Sequence, residues 1–155
     1  MMVGVLRRVA GYTLIELLAV LALLSLLTAL AVPHFADRSQ WHLDIASRRM
    51  AADLRLLRQT AINSGISCRV DFYIYHNHYT LRLPEGSRSV NFREEVQFDG
   101  TTTFDGTPPV LSFNHLGRPH RGGTIILKTS NAYRYIIVTP VTGRVRVSQT
   151  PPQHW

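Results

Sequence analysis

The apolar residues of this chain change period twice. From Leu14 to Val32 almost every position is apolar ("LIELLAVLALLSLLTALAV"). Between residues 33 and 64 apolar residues return at every third or fourth position, the mark of an amphipathic helix. Beyond Gly65 they alternate with polar residues, as half-buried strands do. An apolar rod, an amphipathic helix and a β-rich head are predicted, in that order.

The apolar run covers 19 residues. As a helix it would rise roughly 28 Å, close to the ~30 Å hydrocarbon thickness of a bilayer. Two readings stand open on the residues alone. One is a transmembrane helix over residues 12–32, with Arg7 and Arg8 kept in the cytoplasm and the C-terminus outside. The other is a cleaved secretory signal with "ALA" at Ala29–Ala31 as its cleavage site, although the run exceeds the usual ~7–15 apolar residues of such signals. Glu16 weighs on both. A carboxylate in hydrocarbon costs roughly 2.5–3.5 kcal/mol on insertion scales, so it calls for a partner.

Pro33 follows the run. Inside a helix it removes one hydrogen bond, so a kink is expected there. Past it, Leu43, Ala46, Met50, Leu54, Leu57 and Ala61 form one apolar stripe, with Asp44, Arg48 and Arg55 elsewhere on the wheel. Asp44–Arg48 and Arg49–Asp53 have i,i+4 spacing for ion pairs. Gly65 is a natural C-cap. In the head, "ISCRVDFYIY" and "HYTLRL" flank the turn-like "HNH". "SRSVNF" and "EEVQF" follow, then the turn-rich break "GTTTFDGTPP". "VLSFN", "GTIILKT", "YRYIIVT" and "RVRVSQ" complete seven or eight short strands. The fold class predicted is α+β, a long kinked N-terminal helix packed on an antiparallel sheet.

Charge adds one feature. The 155 residues carry a formal net charge of +7, and no acid follows Asp105. Arg118, Arg121, Lys128, Arg134, Arg144 and Arg146 do follow it, so the C-terminal third is a candidate anion-attracting surface. Of the 17 basic residues only Lys128 is lysine, and arginine's planar fork suits phosphate and carboxylate. In "GRVRV" strand alternation sends Arg144 and Arg146 to one face, ~7 Å apart, and Val145 and Val147 to the other. Two such forks can meet successive phosphates, with Arg118, Arg121 and Arg134 widening the patch.

Catalytic chemistry finds no foothold. No CxxC, HExxH, GxSxG or P-loop spacing occurs, and no nucleophile–base or carboxylate pair has supporting spacing. No catalytic residue, cofactor or metal is expected, and a membrane-tethered enzyme is the least supported class. Cys68 stands alone, so it forms no intramolecular disulfide and reads as a buried small hydrophobe. His76 and His78 bracket a turn, and His115 and His120 flank "LGRP". Zinc needs three or four convergent ligands, and nothing in the spacing makes these converge.

The stretch "GYTLIELLAVLALLSLLTALAVP" resembles the class III signal and first helix of type IV pilins and type II secretion pseudopilins. A basic leader, Gly11, the aromatic Tyr12, Thr13-Leu14, Glu16 and a long apolar helix come in the family's order. The resemblance implies a leader over residues 1–11, removed by a prepilin peptidase after Gly11, and N-methylation of Tyr12. It implies that Glu16 pairs with the N-terminal amine of a neighbouring subunit in a filament. It also supports a kink at Pro33, with residues 12–32 held in lipid and 33–64 laid on a head of residues 65–155.

That head resembles the GspH/FimT branch in "VLSFNHLGRP", "GTIILKT" and "YIIVTPVTGRVRV", with its F-x-x-x-G stretch (Phe113 to Gly117) and terminal G-R-x-R. The branch lacks the C-terminal disulfide of major pilins, in keeping with a single Cys68. The expectation is a minor pilin or pseudopilin, anchored in the inner membrane with its head outside. Its partners would be the peptidase, membrane lipid, an inner-membrane assembly platform and other pilins. The alternative is a minor pilin that binds DNA for natural transformation through Arg144 and Arg146. Neighbouring genes, for secretion or for twitching and competence, separate the two machineries.

Overall fold

The computed structural model describes residues 12–31, 38–102, 104 and 106–152. The chain divides into two compact units, Met1–Asp37 and Arg38–Trp155. Gly11 and Pro33 lie outside the described residues, so the cleavage junction and the expected kink do too.

In the first unit, helix α1 spans Leu14–Ala31. It starts where it does because Thr13 caps it: its Oγ1 accepts the Glu16 N–H at 3.3 Å, and its carbonyl accepts the N–H groups of Glu16 and Leu17. Thr13 and Glu16 thus have the spacing of a capping box, which sets the acid in the first turn, where the helix dipole favours negative charge. Ser25 and Thr28 spend their hydroxyls on the carbonyls of Ala22 and Ser25 (2.8 and 2.9 Å), so neither adds an unpaired donor to an apolar surface. Its 18 residues rise about 27 Å. Among the described residues no helix is long and apolar enough to cross a membrane; the expected span ran on to Val32, outside them.

The second unit is built on α2, Arg38–Ser64. It ends at Gly65, whose φ of 68° is the left-handed conformation of a helix C-cap. Leu43, Met50, Leu54, Leu57 and Ala61 of the predicted stripe are buried, and Ala46 is half-buried against the same core. Among the described residues eight strands follow: β1 Cys68–Tyr73, β2 His78–Leu83, β3 Gly86–Asn91, β4 Gln97–Thr102, β5 Val110–Phe113, β6 Gly123–Lys128, β7 Tyr133–Val138 and β8 Val145–Ser148. They form two antiparallel four-stranded sheets, ordered β3-β2-β1-β5 and β4-β6-β7-β8. Both pack on α2. Val70, Phe72, Tyr79 and Leu111 come from one sheet; Ile125, Leu127, Ile136 and Val138 come from the other. Phe72 meets Phe98 edge-on at 6.2 Å between ring centres, which seals the seam between the sheets.

Two strand boundaries differ from expectation. β1 stops at Tyr73 because Ile74–His76 coil into a 3-10 turn, closed by Asn77 in the left-handed region. The strand expected over 94–98 begins instead at Gln97 and runs into the segment read as a break. Asn77 causes the shift. Its side chain donates to the Val96 carbonyl (2.7 Å) and accepts the Phe98 N–H (3.2 Å), pinning the approach to β4.

The helix acids also turn away from their i,i+4 partners. Asp44 accepts from Arg134 Nε at 2.7 Å on β7. Asp53 holds Arg88 of β3 and accepts from the buried Tyr79 hydroxyl at 2.6 Å. Burial first, and the bond to Asp53 second, push the Tyr79 phenol well above its ordinary range. Each acid therefore ties α2 to a strand through a pair with one partner buried, which is screened less by solvent than a pair along an exposed helix face.

Candidate functional site

Two places stand out, one in each unit. In the first, Tyr12 and Glu16 are exposed at the start of α1. The cap at Thr13 holds the Glu16 backbone in the first helical turn, so the carboxylate stands at the same end of the helix as Tyr12.

In the second, the C-terminal strand behaves as its alternation predicts. Arg144 and Arg146 are exposed, Val145 is buried and Val147 is half-buried. They border a groove of about 520 Å³ whose lining also includes Arg55 and Arg58 of α2 and, among the described residues, no acidic side chain. Arg55 Nη2 donates to the Val145 carbonyl at 3.0 Å, and Arg58 Nε donates to the Gly117 carbonyl at 2.9 Å. A guanidinium carries five N–H donors, so one such bond fixes each side chain without exhausting it. Sequence reasoning missed these two arginines. The available signal was their position: each directly follows a buried stripe residue, Leu54 and Leu57, so both sit on one flank of the helix.

The groove depends on a close approach of two loops. Gly117, in the β5–β6 connection, and Gly143, before β8, both have positive φ, 72° and 64°. A Cβ on Gly143 would fall 2.5 Å from the Gly117 carbonyl oxygen and 3.1 Å from Arg58 Nε. A Cβ on Gly117 would fall 2.6 Å from Ile62 Cδ1. The glycines of the F-x-x-x-G and G-R-x-R stretches thus meet over one arginine, and that contact places the start of β8.

The remaining predicted positions divide. Arg118 and Arg121 are exposed, but they line a different groove of about 530 Å³ with Ser67, Asn114, His120 and Val141. Arg134 does not join any exposed patch. It is only 8% exposed, buried on β7 with its charge on Asp44 and a further bond to the Tyr133 carbonyl. Alternation sends Arg134 inward because Tyr133 and Tyr135 take the outward positions on that strand. Cys68 is buried in β1 as expected, and burial pushes its thiol pKa up. His78 stacks on Tyr73 at 4.5 Å between ring centres. Among the described residues no three His, Cys, Asp or Glu side chains gather as a metal site would require.

Residues 46–143, more than half of the chain, match the family described as type II transport protein GspH. Residues 6–32 match the prokaryotic N-terminal methylation motif. No curated protein matches the sequence at a significant level. Among solved structures, the fold is similar to the minor pseudopilin EpsH from the type 2 secretion system of Vibrio cholerae. The TM-score is 0.56 at 15% identity, over 70% of this chain and 97% of that one. It is equally similar to the type IV minor pilin FimU of Pseudomonas aeruginosa, with a TM-score of 0.56 at 15% identity over 72% and 98%. At such identity the likeness is one of fold.

The glycine contact gives a paired test. Gly65→Ala meets nothing within 4 Å, so it should cost only the left-handed strain of about 1–2 kcal/mol. Gly143→Ala adds the collision with Gly117 and should cost roughly 1–3 kcal/mol more, as overpacking does. Thermal unfolding of the two variants checks this. Equal losses would mean that the two loops do not meet.

Proposed function

The chain belongs to the GspH family of type II transport proteins, and from that premise we propose how its N-terminal segment and head divide the work of a minor pseudopilin or pilin. Residues 1–11 are a leader cut by prepilin peptidase after Gly11, and the freed amine of Tyr12 is then methylated. Residues 12–32 hold the protein in the inner membrane with its head outside. Residues 33–64 carry the head of 65–155 on the amphipathic half of the helix. On assembly, the apolar helix leaves lipid to bundle with those of other pilins above the inner-membrane platform.

The observation that carries this reading is the placement of Glu16. The helix starts at Leu14 with Thr13 as its cap, so the carboxylate stands in the first turn beside the end that cleavage would convert to an amine. In a low-dielectric bundle, a carboxylate and a neighbour's amine are far better paired than left as two lone charges. A single buried polar pair also fixes register, as it does in coiled coils. The reading requires no catalytic group, and the protein works by assembly and not as an enzyme.

A second reading rests on the arginine groove. Arg55, Arg58, Arg144 and Arg146 border it with no acid among the described residues of its lining, an arrangement suited to successive phosphates of DNA. A minor pilin with that property would serve DNA uptake.

Mass spectrometry of the protein recovered from membranes tests the first reading. The expected product begins at Tyr12 with one added methyl group, and Glu16→Ala should be cleaved normally yet fail to enter filaments. A product beginning at Val32, or wild-type filament entry by Glu16→Ala, contradicts it. For the second, duplex DNA is titrated onto the full chain in detergent micelles at two salt concentrations. Each phosphate contact adds about 0.9 to the salt slope, so Arg144→Ala with Arg146→Ala should lower the slope by roughly 2. Unchanged binding by that variant excludes the groove as a DNA site.

A further inference from the structure

The start of α2 leaves an indole ring in the open. Trp41 is 61% exposed, and Ile45, one turn on, is exposed as well. Arg49 follows after a further turn, so the three stand at i, i+4 and i+8 along one face of the helix. Arg93, two residues past the end of β3, comes up beside them. The four border a hollow of about 140 Å³ with Phe92 and Val96 in its lining and, among the described residues, no acid.

Both guanidinium groups remain open to a ligand. Arg49 and Arg93 are exposed, and among the described residues no carboxylate pairs with either. The nearby acids are turned elsewhere: Glu95 lies 3.5 Å from His42, and Glu94 and Glu95 share a separate hollow with Lys128. The space admits one phosphate group but not a helix about 10–12 Å across. An indole beside arginines is the composition of a membrane–water interface, where Trp takes the headgroup level and Arg meets the anionic surface. The position in the chain agrees. Only residues 32–37 separate α1 from α2. At no more than about 3.6 Å each, they keep Arg38 within roughly 25 Å of the lipid that holds α1.

We propose that this hollow docks the head on the membrane surface by seating the headgroup phosphate of an anionic phospholipid. The proposal rests on the reading of α1 as held in that membrane. Arg49 from the helix and Arg93 from the β3–β4 connection take the phosphate oxygens, since each planar fork offers paired N–H donors to an anion. Trp41 and Ile45 enter the interface beside the headgroup, with the indole N–H facing water and the ring facing the acyl chains. The contact holds the head down while the chain waits in lipid, and it is given up when assembly draws α1 out.

Tryptophan fluorescence of the full chain in vesicles tests this. Trp155→Phe leaves Trp41 as the single tryptophan. Vesicles of phosphatidylcholine are compared with vesicles that also contain phosphatidylglycerol, each carrying a bromine quencher at the top of the acyl chains. With phosphatidylglycerol present Trp41 should be quenched strongly, and less so as salt rises. Arg49→Gln with Arg93→Gln should lower the docked-to-free ratio about 30-fold, at about fivefold for each arginine. An equal loss of charge elsewhere, Arg118→Gln with Arg121→Gln, should leave that ratio unchanged. Equal quenching in the two lipids, or no loss in the Arg49–Arg93 variant, overturns the proposal. Release of Trp41 by inorganic phosphate, where chloride at equal ionic strength leaves it docked, also overturns it, because the ligand would then be free phosphate. The N-terminal mass is read on the same protein. A product beginning at Val32 contradicts the anchoring reading, whereas an anchored chain whose Trp41 stays unquenched contradicts this proposal alone.

Discussion

The head hangs on one helix face. Leu43, Met50, Leu54, Leu57 and Ala61 of α2 must serve two sheets at once, since β1 and β2 lie against it on one side and β7 and β8 on the other. Neither sheet covers that stripe alone. The charged anchors follow the same division: Asp53 reaches Tyr79 and Arg88 in the first sheet, and Asp44 reaches Arg134 in the second. Loss of the stripe would uncouple the sheets, and with them the loops that carry the exposed arginines.

That arrangement explains why the surface features sit where they do. Arg55 and Arg58 can complete the groove beside β8 because the stripe locks α2 in rotation against that sheet, and because Gly117 and Gly143 allow the loops to close over Arg58. The turn between β7 and β8 belongs to the same construction: Thr142 N–H donates to the Pro140 carbonyl, and the next residue is the glycine that packs on Gly117. The N-terminal unit obeys a separate logic, in which a cap at Thr13 and an acid at Glu16 define one end of an apolar helix.

Much of this was legible in the residues, and the failures share a cause. The stripe, the C-cap at Gly65, six of the eight strands and the inward valines of "GRVRV" follow from period and turn chemistry, which act over a few residues. What could not be read is long-range. Asp44 finds Arg134 across 90 positions of sequence, so neither its helix neighbour Arg48 nor the exposure expected of Arg134 survives. β4 moves because an asparagine 20 residues earlier grips its approach. The split into two sheets also escaped notice, because alternation reports that a strand has a buried face but not which partner strand it joins. For the groove, one wall was visible in the G-R-x-R stretch and the other lay hidden on a helix.

Amide hydrogen exchange on the full chain in micelles tests the dependence on α2 most directly. If the stripe binds both sheets into one core, the slowest amides of α2, β1, β2 and β7 should exchange together, at the rate of global unfolding. If β4-β6-β7-β8 opens while α2 and β1 stay protected, the two sheets do not share one core, and α2 is not the common support of the head.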